Sequence, residues 1–217
     1  MTRNLPTVLL MGGIFALAAC DVAPTESLSA PDGAQESSAL APGSASIVDI
    51  VVASSEAAEA EFTLLRAAIE YIAATNEGSA LLARLSDRSQ VTVFAPTDQA
   101  FVNLVTAVTP LLDGAVLRNE GPFAAIDDLL GAGTIEAVVS YHVAEGRRAA
   151  NSVVPAGRSP RPRTIETLLD GASFQVTNAG QILAVGNTAN IVAADVSASN
   201  GIVHVIDAVI LPVDLGL

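Results

Sequence analysis

Along this chain the spacing of apolar positions changes from helical to alternating. Over residues 46–75, Phe62, Leu65, Ile69 and Ile72 recur at three- and four-residue steps, with Glu59, Thr63, Arg66 and Glu70 on the opposite side. That spacing predicts a helical segment with one face on a core. In "VTVFAPTDQAFVNLV" the pattern switches: residues 91–95 predict a short buried strand and Pro96 ends it. Thr97 is placed to cap a new helix, and Asp98 and Gln99 fill its first turn, where negative charge suits the helix dipole. Residues 109–141 alternate short helical runs with Gly and Pro breaks. From residue 164 onward strands dominate. "SFQVTNAGQILAV" predicts a hairpin around Asn178-Ala179-Gly180, "NIVAADV" predicts another strand, and Asn200-Gly201 predicts a tight turn. Helices first, then antiparallel strands, with one early strand and no βαβ alternation, give an α+β class.

The last strand, "GIVHVIDAVILP" (residues 201–212), is apolar enough to be covered on both faces, yet His204 and Asp207 interrupt it. Alternation sends the two side chains to opposite faces, so they do not form an acid–histidine pair directly. No nucleophile motif accompanies them. Each is expected to satisfy buried backbone groups, as buried polar groups must.

Composition narrows the chemistry. Apolar types make up 51% of the 217 residues and aromatics 4%, with no Trp, so the core is built mainly from Ala, Val, Leu and Ile. The net charge of −13 disfavours nucleic acid as a partner. All 10 basic residues are Arg, which excludes a phosphate-loop lysine, a Schiff base and a lysine general base. One Cys and two His make neither an internal disulfide nor a four-ligand zinc site, and neither metal nor cofactor is expected. One local anomaly stands out: residues 147–163 hold five arginines (Arg147, Arg148, Arg158, Arg161 and Arg163) and no acid. Its three prolines predict an exposed irregular loop. It is either a solvated counterweight to an acidic surface or a contact for anionic head groups, envelope polymers or an acidic partner.

The first 19 residues, with Arg3 ahead of a short apolar run, predict a secretory signal peptide too short to span a bilayer. The ending "LAAC" (residues 17–20) resembles the bacterial lipobox. That likeness implies cleavage before Cys20 and lipidation of its thiol, with two or more acyl chains giving stable anchoring. Residues 20–45, rich in Ala, Ser, Pro and acids, then predict a disordered tether reaching about 25–30 Å. A single domain is expected over residues 46–213, with a short tail over 214–217.

"TVFAPTDQAF" (92–101), "YHV" (141–143), "TLLDG" (167–171) and "NGIVHVIDAVILP" (200–212) resemble, in family order, the successive blocks of a fasciclin domain. Residues 112–134 lengthen the middle beyond the usual pattern. The resemblance implies a wedge of antiparallel β-sheets with several helices packed on one side. It makes Thr97, Asp98, Tyr141, His142, Asn200, Gly201, His204 and Asp207 structural motif residues. Tyr141-His142 corresponds to a dipeptide proposed to contact integrins in animal relatives; core packing with satisfied polar tips is the reading preferred here. The function implied is a non-enzymatic, lipid-anchored binding or adhesion module in a bacterial cell envelope, with a macromolecular or cell-surface partner. The alternative is a carrier or sensor of an apolar small molecule, a lipid or pigment.

Overall fold

The structure is a computed structural model that describes residues 43–58, 60–76, 79–109, 121–157 and 161–216. The expected signal peptide, Cys20, most of the tether and Arg158 lie outside the described residues.

The helices come first. Ser46 and Asp49 cap α1 (Ile47–Ser55) reciprocally: Asp49 N donates to Ser46 Oγ at 3.2 Å and Ser46 N donates to Asp49 Oδ2 at 2.9 Å. The helical segment expected over residues 46–75 is two helices, because the chain breaks after α1 and turns through Phe62 at φ 64° before α2 (Thr63–Thr75). Phe62, Leu65 and Ile72 are buried as the spacing predicted, and Ile69 is half-buried. Then follow α3 (Ala80–Ser86), β1 (Val91–Pro96), α4 (Asp98–Val108), α5 (Gly121–Leu130), α6 (Thr134–Tyr141), β2 (Val143–Glu145) and the short α7 (Ala150–Val153). Five strands close the chain: β3 (Arg163–Glu166), β4 (Ser173–Val176), β5 (Gln181–Leu183), β6 (Thr188–Ala198) and β7 (Gly201–Ile206).

The strands form one seven-stranded sheet in the order β2-β1-β7-β6-β5-β4-β3. All neighbours are antiparallel except β1 and β7, which run parallel from Val91 opposite Gly201 to Pro96 opposite Ile206. These two strands are the near-continuous apolar runs, and each is covered on both faces. Val91, Val93, Ala95 and Val203 enter the core shared with α1–α6. Phe94 and Ile206 enter a second core with Phe174, Ile165, Ile182 and Tyr141. The fold is therefore α+β, with α1–α6 gathered on one side of a mostly antiparallel sheet and the short α7 packed into the second core.

Two turns show how side-chain size sets the chain path. The β4–β5 hairpin closes where expected, with Gly180 at φ 77° and Thr177 N donating to Gln181 O at 2.8 Å. The β6–β7 reversal is displaced by one residue from the expected Asn200-Gly201. It occurs at Ser199-Asn200, and Gly201 is already the first residue of β7, opposite Ala198. The glycine is needed for a different reason: a Cβ there would lie 2.0 Å from the carbonyl oxygen of Val91. It marks a close approach of two strands rather than a turn.

Candidate functional site

The polar residues of the four sequence blocks converge on the junctions between elements. Thr97 caps α4, its Oγ1 accepting from Ala100 N at 3.2 Å. Asp98 reaches further. Its carboxylate accepts from Thr63 N (3.1 Å), Thr63 Oγ1 (2.6 Å) and Leu64 N (2.9 Å), so it caps α2, which has no cap of its own. In return Glu61 Oε1 accepts from Asp98 N at 2.8 Å. Two helix starts are tied together by one pair of acids.

Asn200 is buried at 4% exposure and holds three elements. Its Oδ1 accepts from Ile47 N at the start of α1 (2.9 Å), and its Nδ2 donates to Leu85 O (2.8 Å) and Asp87 O (3.2 Å) at the end of α3.

Both histidines are buried with both ring nitrogens on the backbone. His142 Nδ1 lies 2.7 Å from Val138 O and its Nε2 accepts from Ile210 N at 3.0 Å, which makes the neutral Nδ1–H tautomer the one that fits. Burial pushes the His142 pKa down to about 4, the Val138 carbonyl opposing that only in part. His204 is fully buried and packs 5.4 Å from the Phe94 ring. Its Nε2 faces Arg148 O at 2.9 Å, while its Nδ1 accepts from Asp195 N at 3.3 Å. Tyr141, also fully buried, donates to Ser173 O at 2.9 Å, and burial pushes its phenol pKa up. The Tyr141-His142 dipeptide thus sits in the core.

Asp207 is exposed, not buried as the strand pattern implied, because β7 ends at Ile206. Its carboxylate accepts from Asn190 N at 2.7 Å and Asn190 Nδ2 at 2.9 Å, latching β6 to the segment after β7. His204 and Asp207 are bonded to different partners and do not pair with each other. Neither imidazole has a nitrogen left to exchange a proton with a substrate. Among the described residues no group of three or more His, Cys, Asp or Glu is placed to hold a metal ion.

The arginines of residues 147–163 are partly committed to the scaffold. Arg147 Nη1 donates to Ala198 O (2.8 Å) and Gly201 O (2.7 Å), bracing the β6–β7 end. Arg148 Nε donates to Glu145 O at 2.9 Å, and Arg163 Nη1 donates to Asn151 O and Ser152 O. Arg161 is exposed.

Sequence reasoning passed over three residues that matter equally. Asp195, at φ 61° where β6 shifts register against β7, accepts from Ala150 N at 2.8 Å while its own amide serves His204. Asn187 holds the segment after β7, donating to Val209 O and accepting from Leu211 N. Thr92, fully buried, donates to Gly146 O and accepts from Arg148 N. The one visible signal was an Asp inside the apolar run "IVAADV".

Several concavities remain among the described residues, one of them a polar cleft of about 580 Å³ between the ends of α2 and α5 and the start of α6. A cavity of about 60 Å³ in the helix-side core is lined by residues such as Leu65, Phe101, Leu104, Phe123 and Val139. A polar cleft of about 480 Å³ lies between α3, α6, β2 and β3.

A model of the fasciclin domain matches residues 66–212. The protein sll1483 of Synechocystis sp. is 31% identical over 158 residues, covering 64% of this chain and 83% of that one. A solved FAS1 domain pair from the insect cell adhesion molecule fasciclin I is 18% identical, with a TM-score of 0.41, covering 67% of this chain. This chain spans only 44% of that pair's length.

Proposed function

The chain belongs to the fasciclin domain family, and on that premise we propose that it is a non-enzymatic binding and adhesion module held at a bacterial envelope membrane by a lipidated Cys20. The observation that carries the reading is the use of the block residues. Thr97, Asp98, Tyr141, His142, Asn200, His204 and Asp207 all bond to backbone or side-chain groups within the domain. Polar groups occupied in this way hold a scaffold and leave recognition to the surface. The "LAAC" ending supports the anchor, and no helix among the described residues is long and apolar enough to cross a membrane. The arginine segment is the proposed contact for an anionic envelope polymer, head group or acidic partner. The test there replaces Arg158 and Arg161; replacing Arg147 would also untie the β6–β7 end.

The carrier reading has one observation in its favour, the almost entirely apolar lining of the helix-side cavity. At about 60 Å³ it is well below the several hundred Å³ of a small-molecule pocket, so a lipid or pigment would have to part the helices around it. Native mass spectrometry on protein gently extracted from its source membrane tests both readings. The expected mass is that of the acylated chain alone, lost in Cys20→Ser, and Arg158→Ser with Arg161→Ser is expected to weaken retention on anionic vesicles. A releasable apolar compound would establish the carrier instead.

A further inference from the structure

Where the domain begins, the chain lies beside a guanidinium. Gly43 N donates to Ser197 O at 3.1 Å and Ser199 N donates to Ala45 O at 2.7 Å, so the chain enters the domain along the end of β6. Arg147 reaches the same residue: its Nη2 donates to Ser197 Oγ, while its Nη1 holds Ala198 O and Gly201 O. Three of the five guanidinium N–H groups are thereby fixed on neutral acceptors, and Nε–H and one Nη2–H are left over. Arg147 is exposed, and the ion pairs among the described residues belong to Arg66 and Arg84. Arg88, also exposed and in no ion pair, lies in the link from α3 to β1. That link closes the same end of the sheet, since Asp87 O accepts from Asn200 Nδ2 and Gln90 Nε2 donates to Ser199 O.

The acids of this end are engaged elsewhere. Asp49 accepts from Ser46 N and Oγ, Asp87 accepts from Ser89 N, and Glu145 pairs with Arg84. The chain upstream has the opposite bias to Arg147 and Arg88. Residues 20–42 carry Asp21, Glu26, Asp32 and Glu36 and no base. Glu36 stands seven positions before Gly43 and Asp32 eleven. Coils of those lengths span about 15 and about 18 Å on average, enough to bring either carboxylate back to the end of β6.

We propose that the acidic segment 21–36 docks in cis on the free donors of Arg147, with Arg88 as a second contact, and so competes with the anionic partner of the arginine segment. A carboxylate accepting from Nε and Nη2 completes the guanidinium without disturbing its three bonds to the β6–β7 end. Because the segment joins the domain at Ser197, the encounter is intramolecular, at an effective concentration on the order of millimolar. Each contact is an exposed ion pair and weak by itself, and this decides what displaces it. A single small anion competes poorly, whereas an envelope polymer or a lipid surface presents many charges at once and wins. The tether thereby selects multivalent partners. This contact deepens the reading above, resting on it for its role but not for its formation.

The test compares the chain from residue 20 onward with a form whose tether is neutral (Asp21→Asn, Glu26→Gln, Asp32→Asn and Glu36→Gln). Both carry Cys20→Ser and a nitroxide on Gln35→Cys, and all these changes lie outside the domain. The label is expected to broaden the amide signals of Arg147 and Ser197 more in the acidic chain than in the neutral one. Salt at 1 M, where the screening length falls to about 3 Å, is expected to erase that difference. Without the label, neutralising the tether is expected to raise affinity for fluorescent polyglutamate about threefold. Equal broadening in the two chains overturns the contact, as does a difference that survives 1 M salt. A difference that arises only when anionic vesicles are added also overturns it, and gives the site to head groups. If both chains bind polyglutamate equally, the tether does not compete, and this inference falls while the arginine segment keeps its partner. If neither binds up to about 1 mM and the broadening difference stands, the contact holds and the partner reading is the one that fails.

Discussion

His142 and Asp207 answer differently to removal, although both were expected to be structural residues with satisfied polar groups. His142 refuses a proton until about pH 4, while an unfolded histidine takes one near 6.5. Between those values the unfolded chain binds more protons, so this contribution to stability is whole above about 6.5 and shrinks as pH falls toward 4. The slope is at most about 1.4 kcal/mol per pH unit. His142→Phe leaves Ile210 N and Val138 O without partners and is expected to cost about 1–3 kcal/mol at neutral pH. It should also flatten the pH dependence between 6.5 and 4. Urea unfolding across that range checks both, and an unaltered slope would move the titration to another group. For Asp207, exposed and bonded to an exposed Asn190, water replaces what Ala removes, and the expected loss is under about 1 kcal/mol.

At the scale of elements the telling contact is Asp98 on the start of α2. Thr97 as a cap was legible because its partner lies three residues away. The cross-cap was not, because Asp98 and Thr63 are separated by 35 positions and only the packing of α2 on α4 brings them together. The same holds for Asn200, whose turn signal was readable while its bonds to α1 and α3 were not. The break at Phe62 was hidden for another reason: the apolar spacing continues through it, and a left-handed residue leaves no mark on periodicity. Asp98→Ala is expected to cost about 1–2 kcal/mol, more than Asp207→Ala, with Asp98→Asn intermediate. Thermal melts of the three variants decide it, and the reverse order would mean that α2 does not depend on its neighbour's acid.

Over the whole molecule the α+β class, the succession of helices before strands and the two-faced character of β1 and β7 could be read from apolar spacing, whereas the short β2 and α7 could not. What could not be read was closure. Nothing in the local pattern of "TVF" or "GIVHVI" says that these strands lie side by side and parallel, because pairing between distant segments is settled by packing rather than by period. The same blindness covers the edges of the sheet, β2 and β3, which are defined only once seven strands have been laid in order.

The bonds of Asn200 set how the protein ages. In an Asn-Gly pair the glycine amide attacks the asparagine side-chain carbonyl, expels ammonia and closes a succinimide, which water reopens to aspartate or isoaspartate. Here the side chain is clamped between the start of α1 and the end of α3 and Gly201 is fixed in a strand, so the reaction waits for unfolding. Peptide mapping is expected to show deamidation of Asn200 far slower in buffer than in urea; equal rates would mean that the clamp opens freely. Once formed, the acid can no longer donate to Leu85 and Asp87. Each excursion from the fold thereby risks being the last, and the altered fraction of an old sample records how long its molecules have spent unfolded.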